Sequence, residues 1–425
     1  MTSLNHARPV AWRMGVFLFL VALVLTWRAN ALRMDNVLTQ KNDQLGYYEY
    51  LPALVVPQDW ADLPYAISLG FHRTVDIFTS GVALLQAPFF GLACAVAKIS
   101  GQPVDGYSPP FIFARFAASA FYMAAASVLL FLGLRRNHPS RVAVLVPLIL
   151  FGATNLYFYT LFDPGMSHVY AYALFAWMYY LTVRMVEKPR SDRLVGLLVV
   201  AAWIILVRPL NVLVLLFPLL YGAGPKEAIR QRISWVVRYP WATLAGLALA
   251  MCVWLPQLLY WKHSTGSWLV FTYGLDGQGF DWLHPHLLDV LVSHQNGWFV
   301  YTPLMALVMG TLLWGALRNR PGARLILAIW TLVWYSYASW WCWWLGGGFG
   351  FRGFVEYYAL LALPLAWILQ RLIQQRRAVQ EVAFIGIALL IFLNMRISQI
   401  YQWPWEGPTW NWDSVGDAWV RALFG

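Results

Sequence analysis

Charged residues are scarce in this chain: Asp, Glu, Lys and Arg make up 12% of its 425 residues, while hydrophobic residues make up 60%. A soluble domain carries roughly 25% charged residues, so the composition excludes a soluble enzyme and a disordered chain. Apolar runs long enough to cross a bilayer recur along the sequence, which predicts an all-α polytopic membrane protein. We expect the net charge of +11 in loops that set the topology, and not in a surface for nucleic acid.

Cysteine is also rare, and the three cysteines, Cys94, Cys252 and Cys342, lie in apolar surroundings without the spacing of metal ligands. We therefore expect neither a disulfide nor a cysteine metal site. The sequence lacks a Walker A motif and the glycine pattern of a dinucleotide-binding fold. Because the loops predicted on the cytoplasmic side are short and basic, any chemistry is expected on the outer face, without ATP or a cytosolic nucleotide sugar.

Long apolar runs predict most of the membrane-spanning helices. The first run is too long for the core of a signal peptide, and we expect it to be retained as a helix. The candidate spans are Ala11–Leu32, Phe111–Leu134, Val142–Phe162, Val169–Val186, Trp241–Trp261, Phe299–Leu317, Leu325–Trp344, Val355–Ile373 and Ala378–Ile397.

Two further apolar segments decide the topology. Leu194–Val207 and Leu210–Ala223 are each too short for a ~30 Å hydrocarbon core, and basic residues flank the pair on both sides. This favours a hairpin that enters and leaves on one side, with its turn at Arg208-Pro209, while a single kinked span is the alternative. Residues 77–99 contain polar side chains and Pro88, which favours helices lying at the membrane interface over a span.

These choices give about eleven membrane helices and a cytoplasmic N-terminus, because they place most of the 30 Lys and Arg residues on the inner side. Residues 1–261 would form a core of seven membrane helices that includes a long first outer loop, residues 33–110, with interfacial helices. Residues 262–298 would form another outer loop, residues 299–398 four C-terminal membrane helices, and residues 399–425 a tail on the outer face.

The first outer loop carries the motif DQLGYYEYLP, in which an acid precedes a cluster of tyrosines. Asp43, the first residue of the motif, is a candidate general base that activates an acceptor hydroxyl or amine. Tyr47 and Tyr48 are candidates for stacking on a sugar or positioning the acid. The alternative is an aromatic belt with a solvated acid at the membrane edge.

Two candidate anion-binding residues lie at helix junctions further along. The motif FDPGMSHVY contains Asp163, a second candidate acid, and His168. His168 is either a structural histidine or a hydrogen-bond partner of a phosphate or of the acceptor. Arg208 lies within an apolar run, where a charge is costly, so we expect it to face a cavity and an anionic partner. That partner is either a carboxylate of the chain or a lipid phosphate.

The stretch WWCWWLGGGFGFRGFVE, residues 340–356, combines tryptophans with glycines that allow close backbone approach and exposed N–H groups. Arg352 and Glu356 follow the glycines, and one interpretation is a helix ion pair between them beside an aromatic girdle. The interpretation we favour is a nest of glycine N–H groups that holds a phosphate together with the Arg352 guanidinium, while tryptophans cover a sugar or an isoprenoid.

The outer loop 262–298 adds polar side chains but no recognisable metal site. His284 and His286 lie two positions apart across a proline, which is not a helical ligand spacing, and no acid completes a set of ligands. Lys262, at the end of the preceding span, is a candidate cation for binding the substrate.

Taken in order, these motifs resemble the GT-C superfamily, multispanning glycosyltransferases that use polyprenyl-phosphate sugars on the outer side of the membrane. The superfamily includes the lipid A aminoarabinose transferases, the protein O-mannosyltransferases and the arabinosyltransferases. The similarity extends over most of the chain and rests on DQLGYYEYLP, DPGMSHVYAYALF, VRPLNVL, PQLLYWKHSTGSW, NGWFVYTPL and WWLGGGFGFRGFVEYYALLALPLA. The chain departs from the family pattern at Phe351, where related sequences tend to have Pro or Gln before the arginine.

The resemblance implies seven core helices and interfacial helices in the first outer loop. It also implies that Asp43 is the base that deprotonates the acceptor, with Asp35 as a weaker candidate. Our own inference adds that Arg352 and Arg208 bind the donor phosphate, with Glu356 among the further substrate-binding candidates.

The implied activity is the inverting transfer of a sugar from a polyprenyl phosphate to an envelope glycan, lipid or protein. The active site would face the periplasm from the bacterial inner (cytoplasmic) membrane, and no cofactor is implied. A transporter or flippase for a lipid or sugar is the alternative function, and a non-catalytic partner in envelope assembly is a further one. A transporter should show inverted repeats and ionisable residues near the bilayer midplane, neither of which the sequence indicates.

Overall fold

The computed structural model describes residues 7–30, 43–56, 65–70, 73–401 and 405–425. Asp35 lies outside these described residues. The α-helices, numbered in chain order, are α1 (Ala7–Asn30), α2 (Asp43–Tyr48), α3 (Gly81–Ile99), α4 (Pro109–Leu134), α5 (Ser140–Gly152), α6 (Leu156–Leu161), α7 (Ser167–Glu187), α8 (Ser191–Val207), α9 (Leu216–Leu220), α10 (Pro225–Arg238), α11 (Pro240–Thr265), α12 (Thr272–Leu275), α13 (Leu287–Val292), α14 (Trp298–Tyr301), α15 (Leu304–Leu317), α16 (Ala323–Ala338), α17 (Tyr358–Leu372), α18 (Arg377–Ile400) and α19 (Trp412–Phe424).

The strands of the described residues form one small antiparallel hairpin between α2 and α3. Strand β1 (Ala66–Ser68) pairs with strand β2 (Thr74–Asp76). Short 3₁₀ helices are present at Pro52–Leu54, Pro209–Leu215 and Arg352–Phe354. The second and third of these follow α8 and α16, and both border the site described below.

Among the described residues, five helices have the length and apolar composition of membrane spans: Pro9–Asn30, Gly81–Ile99, Pro109–Leu134, Pro240–Thr265 and Arg377–Ile400. A sixth span results if the segments Pro209–Leu220 and Pro225–Arg238, which meet at a bend of 90°, are counted as one. The protein is therefore a predominantly α-helical membrane protein, as its composition predicts. The count of eleven spans and the seven-helix core stay predictions.

The two segments that decide the predicted topology differ in whether a proline interrupts a helix. Residues 81–99 form a single helix, α3, that continues through Pro88. Because α3 has the length and composition of a span, the interfacial position of residues 77–99 stays a prediction. Helix α8 ends at Val207 and a 3₁₀ helix begins at Pro209, so the predicted break at Arg208 is present. Proline has no backbone N–H to continue the α-helical hydrogen bonds, which explains this break.

Three predicted spans differ from the observed helices, and the differences lie next to the candidate site. The span predicted over Val142–Phe162 is interrupted at residues 153–155. There the Asn155 amide donates to backbone carbonyls of residues 345–351, which we call the glycine stretch. The span predicted over Phe299–Leu317 is interrupted before α15, at a proline. The span predicted over Leu325–Trp344 ends at Ala338. The residues at these helix breaks lie outside regular helices, and their backbone and side chains contribute to the site or to its support.

The core of the described fold centres on α7, which packs against α4 and α8. Tyr170, Tyr172 and Phe175 of α7 are fully buried. Helices α11 and α18 instead expose large apolar side chains such as Leu255 and Ile385, which is the pattern expected of helices that contact lipid. The N-terminal end of α7 and the C-terminal end of α8 therefore meet inside the protein, and the site is built around them.

Candidate active site

A cavity of about 730 Å³ lies between α2, the start of α7, the end of α8 and the segment that follows α16. Its volume falls in the range typical of small-molecule sites, roughly 300–1,000 Å³. Asp43, Tyr47, His168, Arg208 and Arg352 all line it. The structure thus brings five of the residues proposed from the sequence into one cavity, although they come from four separate segments.

Asp43 and Arg352 form an ion pair inside this cavity. Oδ2 of Asp43 lies 2.7 Å from Nη1 of Arg352, and the Tyr65 hydroxyl donates to Oδ1 of Asp43 at 3.2 Å. Burial, and then the charge of Asp43, raise the pKa of Tyr65, so its hydroxyl stays protonated and remains a donor. The side chain of Asp43 is 26% exposed, so the carboxylate remains accessible from the cavity.

The glycine stretch before Arg352 is held in place through its backbone carbonyls. Side-chain donors from α6, from the break between α5 and α6 and from the residue that follows α18 bind three backbone carbonyls of the stretch. These bonds run from Tyr401 to the carbonyl of Gly348 (3.0 Å), from Tyr159 to that of Phe349 (3.1 Å), and from Asn155 to those of Phe349 and Phe351 (3.3 and 3.4 Å). They fix the backbone from which Arg352 projects.

Close packing and backbone angles explain why glycines occur here. A Cβ atom on Gly348 would lie 2.6 Å from the hydroxyl of Tyr159, and Gly347 and Gly350 adopt φ values of +73° and +61° that L-residues rarely adopt. Phe351, the departure from the family pattern, is fully buried. The turn therefore accommodates a phenylalanine at this position.

Two N–H groups of the glycine stretch are engaged by the chain itself. Gly347 donates to Oε2 of Glu406 at 3.3 Å, and the indole N–H of Trp344 donates to the same oxygen at 2.9 Å. The N–H of Gly346 contacts the sulfur of Cys342 at 3.5 Å. A carboxylate from the C-terminal segment thus occupies the N–H of Gly347, and the binding of a phosphate by the N–H groups of this stretch stays a prediction.

A second charged cluster lies behind the cavity wall and centres on Glu356, which is fully buried. Oε1 of Glu356 lies 3.5 Å from Nε of Arg208 and accepts from the Asn211 amide at 3.4 Å, while Oε2 lies 3.1 Å from Nδ1 of His168. A carboxylate can only accept, so Nδ1 of His168 carries a proton and donates to Glu356, while Nη1 of Arg208 lies 3.2 Å from Nδ1 and 3.4 Å from Nε2 of the same ring. Tyr337 accepts from the other terminal nitrogen of Arg208 at 3.0 Å.

This cluster excludes the alternative interpretation of Glu356 as the helix partner of Arg352, and it corrects the prediction that Glu356 binds the substrate. Glu356 pairs with Arg208 and His168, not with Arg352, because the chain turns through a 3₁₀ helix between Arg352 and Glu356 and does not form a regular helix there. Glu356 does not line the cavity, so it does not contact a ligand bound there. The anionic partner of Arg208 is therefore a carboxylate of the chain, one of the two alternatives left open by the sequence.

Three other candidates lie away from the cavity. The Tyr48 hydroxyl donates to the carbonyl of Gly106 at 2.6 Å, and the Tyr48 ring lies under the guanidinium of Arg115. Lys262 donates to the carbonyl of Gly266 at 2.6 Å, at the end of its own helix. Tyr48 and Lys262 thus have structural contacts, and neither lines the cavity.

Asp163 is the third. It accepts from the amide of Gln44 at 3.0 Å, and Gln44 also accepts from the N–H of Gly165. These bonds join the start of α2 to the turn before α7. Asp163 therefore helps to place its neighbours Asp43 and His168, and it does not line the cavity.

Several contributors were missed from the sequence. Tyr65 binds Asp43, Tyr337 and Asn211 bind the Arg208–Glu356 cluster, and Glu406 binds the glycine stretch. These roles follow from contacts between distant segments, and no local pattern marks them.

The sequence matches no protein-family model, and a search of curated protein sequences gives no significant match. Membership of the GT-C superfamily therefore stays a prediction. Among the described residues, no group of three or more His, Cys, Asp or Glu side chains is placed to hold a metal ion.

Proposed function

We propose that this protein is a membrane glycosyltransferase that moves a sugar from a polyprenyl-phosphate donor to an acceptor of the cell envelope. The observation that carries the proposal is the meeting of Asp43 and Arg352 in one cavity that Arg208 and His168 also line. Such a transfer needs a carboxylate that accepts a proton beside cations that bind a phosphate. The similarity of the ordered motifs to the GT-C superfamily supports the same assignment.

In the proposed reaction, Asp43 takes the proton of an acceptor hydroxyl or amine as the acceptor atom bonds to the anomeric carbon of the sugar. The bond between that carbon and the phosphate oxygen breaks, and its electron pair leaves with the polyprenyl phosphate. Arg352 and Arg208 stabilise the negative charge that develops on the leaving phosphate. A single displacement of this kind inverts the anomeric configuration.

The ion pair between Asp43 and Arg352 must be broken before Asp43 can act as a base. Arg352 and the Tyr65 hydroxyl hold both carboxylate oxygens of Asp43. A donor phosphate that binds the guanidinium of Arg352 competes with Asp43 for it, since both are anions that bind arginine through charged hydrogen bonds. Donor binding then frees a carboxylate oxygen for the proton of the acceptor, so the donor binds before the acceptor reacts.

One wall of the cavity suits the hydrocarbon chain of the donor. Val207, Leu210 and Val212, at the break after α8, line it together with Phe271. Val212 is 45% exposed and Phe271 is 58% exposed, so apolar surface continues from the cavity to the outside of the protein. An isoprenoid chain on this surface would cover apolar area, which is favourable by about 25 cal/mol per Å².

The distribution of Lys and Arg along the sequence supports the location of the reaction. It favours a cytoplasmic N-terminus and a cavity on the periplasmic side of the bacterial cytoplasmic membrane. The acceptor there is an envelope glycan, lipid or protein.

The test is transfer by Asp43→Asn in proteoliposomes supplied with polyprenyl-phosphate sugars and envelope extract, with products followed by mass spectrometry. We expect a loss of at least about 10²-fold, since general base catalysis contributes that much or more. Asp281→Asn is the matched control, because Asp281 is exposed, pairs with His284 and does not line the cavity.

Transfer by Asp43→Asn at the wild-type rate would contradict the assignment of the base. Mass spectrometry of envelope glycolipids and surface proteins from a deletion strain would identify the missing product. Passage of the intact lipid-linked sugar across the membrane, without release of polyprenyl phosphate, would indicate the transporter instead.

A further inference from the structure

The outer edge of the cavity is built by two chain segments that pair with each other. The N–H of Trp341 donates to the carbonyl of Gly279 at 3.0 Å, and the N–H of Asp281 donates to the carbonyl of Ser339 at 2.7 Å. Phe280 and Trp340 form an isolated antiparallel bridge between them. These backbone bonds hold the two segments in a fixed register. We call the cavity-lining side chains Asp276, Gln278 and Trp341 of this edge the rim.

The rim side chains form a directed series of hydrogen bonds. The indole N–H of Trp341 donates to Oε1 of Gln278 at 3.1 Å, and the Gln278 amide nitrogen donates to Oδ2 of Asp276 at 2.7 Å. An indole only donates and a carboxylate only accepts, so the orientation of the Gln278 amide is fixed. This series orients the carboxylate of Asp276 at the cavity edge.

A carboxylate oxygen and part of an indole surface remain available to a ligand on the rim. Oδ1 of Asp276 has no hydrogen-bond partner, and Asp276 has no ion-pair partner, within the described part of the chain. Trp341 is 55% exposed, so much of its indole surface is uncovered beside that carboxylate. An exposed aromatic surface next to oriented hydrogen-bonding groups is a common composition of a binding site.

The chemistry of this combination matches a sugar ring. A pyranose presents an apolar face of C–H groups, which packs on an aromatic ring, and an edge of hydroxyl donors, which bind carboxylate and amide oxygens. The charge at the rim argues against an anionic ligand, since a phosphate or uronate beside Asp276 would be repelled. The cavity arginines do not offset this charge for a second anion, because Arg208 pairs with Glu356, and Arg352 pairs with Asp43 or, in the proposed reaction, with the donor phosphate.

We propose that the rim binds the acceptor, and that the acceptor ends in a neutral, hydroxyl-rich sugar. One face of that sugar packs on Trp341, and its hydroxyls donate to Asp276 and Gln278. The inference rests on the proposed function, and it selects a glycan acceptor from among the glycans, lipids and proteins left open there. It also places the acceptor on the outer edge of the cavity that Asp43 lines.

The experiment measures binding apart from transfer. The full-length protein in nanodiscs is applied to an array of neutral oligosaccharides, uronate- or phosphate-bearing oligosaccharides, and peptides. We expect binding to neutral sugars that weakens about 10-fold or more in Asp276→Asn and in Trp341→Ala, since each removes a contact to the ligand. Trp412→Ala and Asp289→Asn are matched controls, because Trp412 is 56% exposed, Asp289 pairs with His286, and both lie outside the cavity.

Binding to the acidic sugars or peptides, or neutral-sugar binding that the two rim variants leave unchanged, would overturn the inference. The kinetic counterpart separates it from the proposed function. With a neutral glycan that the protein uses as acceptor, Asp276→Asn should raise the KM for that acceptor and leave the KM for the donor unchanged. Activity that requires Asp43 but shows the same acceptor KM in both rim variants would refute the rim and leave the transferase intact.

Discussion

Replacement of Glu356 by glutamine removes the buried negative charge that pairs with Arg208. Glu356 is fully buried, and its two oxygens face Arg208, Asn211 and His168, all of them donors. Glutamine keeps the shape, but its amide nitrogen must face one of these donors whichever way the amide is turned. The variant therefore loses the charge and at least one hydrogen bond.

The expected magnitude follows from burial. Breaking a buried ion pair by removing one partner costs about 3–5 kcal/mol, because the remaining charge is left uncompensated. Arg208 is 18% exposed, which admits some solvent and favours the lower end of that range. With an unfolding entropy near 2.1 cal/mol/K per residue over 425 residues, 3–5 kcal/mol corresponds to a decrease in Tm of roughly 3–6 °C.

Thermal unfolding of the purified protein in detergent, followed by tryptophan fluorescence, measures this change. Glu381→Gln is the control, since Glu381 pairs with Arg377 on the exposed surface of α18, where a pair contributes about 0–1 kcal/mol. The double variant Glu356→Gln with Arg208→Gln should recover part of the loss, because it also removes the uncompensated charge. A Tm for Glu356→Gln within the range of the Glu381→Gln control would refute the role assigned to the buried pair.

Two further predictions concern stability. Burial, more than any other cause, raises the pKa of Asp76 well above its ordinary value, so the folded chain favours its protonated form. The stability this provides is complete below the ordinary Asp pKa and is lost as the pH rises through the raised value. Asp76→Asn should therefore be more stable than wild type near neutral pH but not at about pH 4. Equal pH dependence of Tm in the two proteins would contradict this. Gly348→Ala should destabilise the fold by about 1–3 kcal/mol, because its Cβ would lie 2.6 Å from the Tyr159 hydroxyl. Gly310→Ala in α15, where nothing lies within 4 Å, should be neutral or stabilising, and equal Tm changes in the two variants would show that the close packing at Gly348 has no effect.

The sequence predicts the parts of this structure that depend on local properties. Apolar length identifies the helices, and a proline identifies the break after Val207. The cost of burying a charged side chain indicates that Arg208 faces a cavity and an anionic partner. The interruption at residues 153–155 was not predicted, because the apolar run continues through it and its polar contacts are made with segments about 200 residues or more away.

The same limit applies to the site. Asp43 was identified from a motif, whereas Tyr65 and Glu406 were not, since each acts through one contact with a distant segment. Tyr48 was wrongly grouped with Tyr47 because adjacent residues of a helix point in different directions, about 100° apart. Tyr47 faces the cavity, and Tyr48 packs instead against Arg115.

The two arginines of the cavity are alike in sequence but different in what a phosphate could do with each. The partner of Arg208, Glu356, is fully enclosed, and separating a buried pair of this kind costs several kcal/mol. The partner of Arg352, Asp43, is 26% exposed and borders the cavity, so an incoming anion can reach this pair and compete for the guanidinium. Arg208 therefore supplies a fixed charge whose position Glu356 and Tyr337 set, and Arg352 is the guanidinium that can exchange a carboxylate for a phosphate. If Asp43 is the base, this exchange is what couples the arrival of the donor to the release of the base.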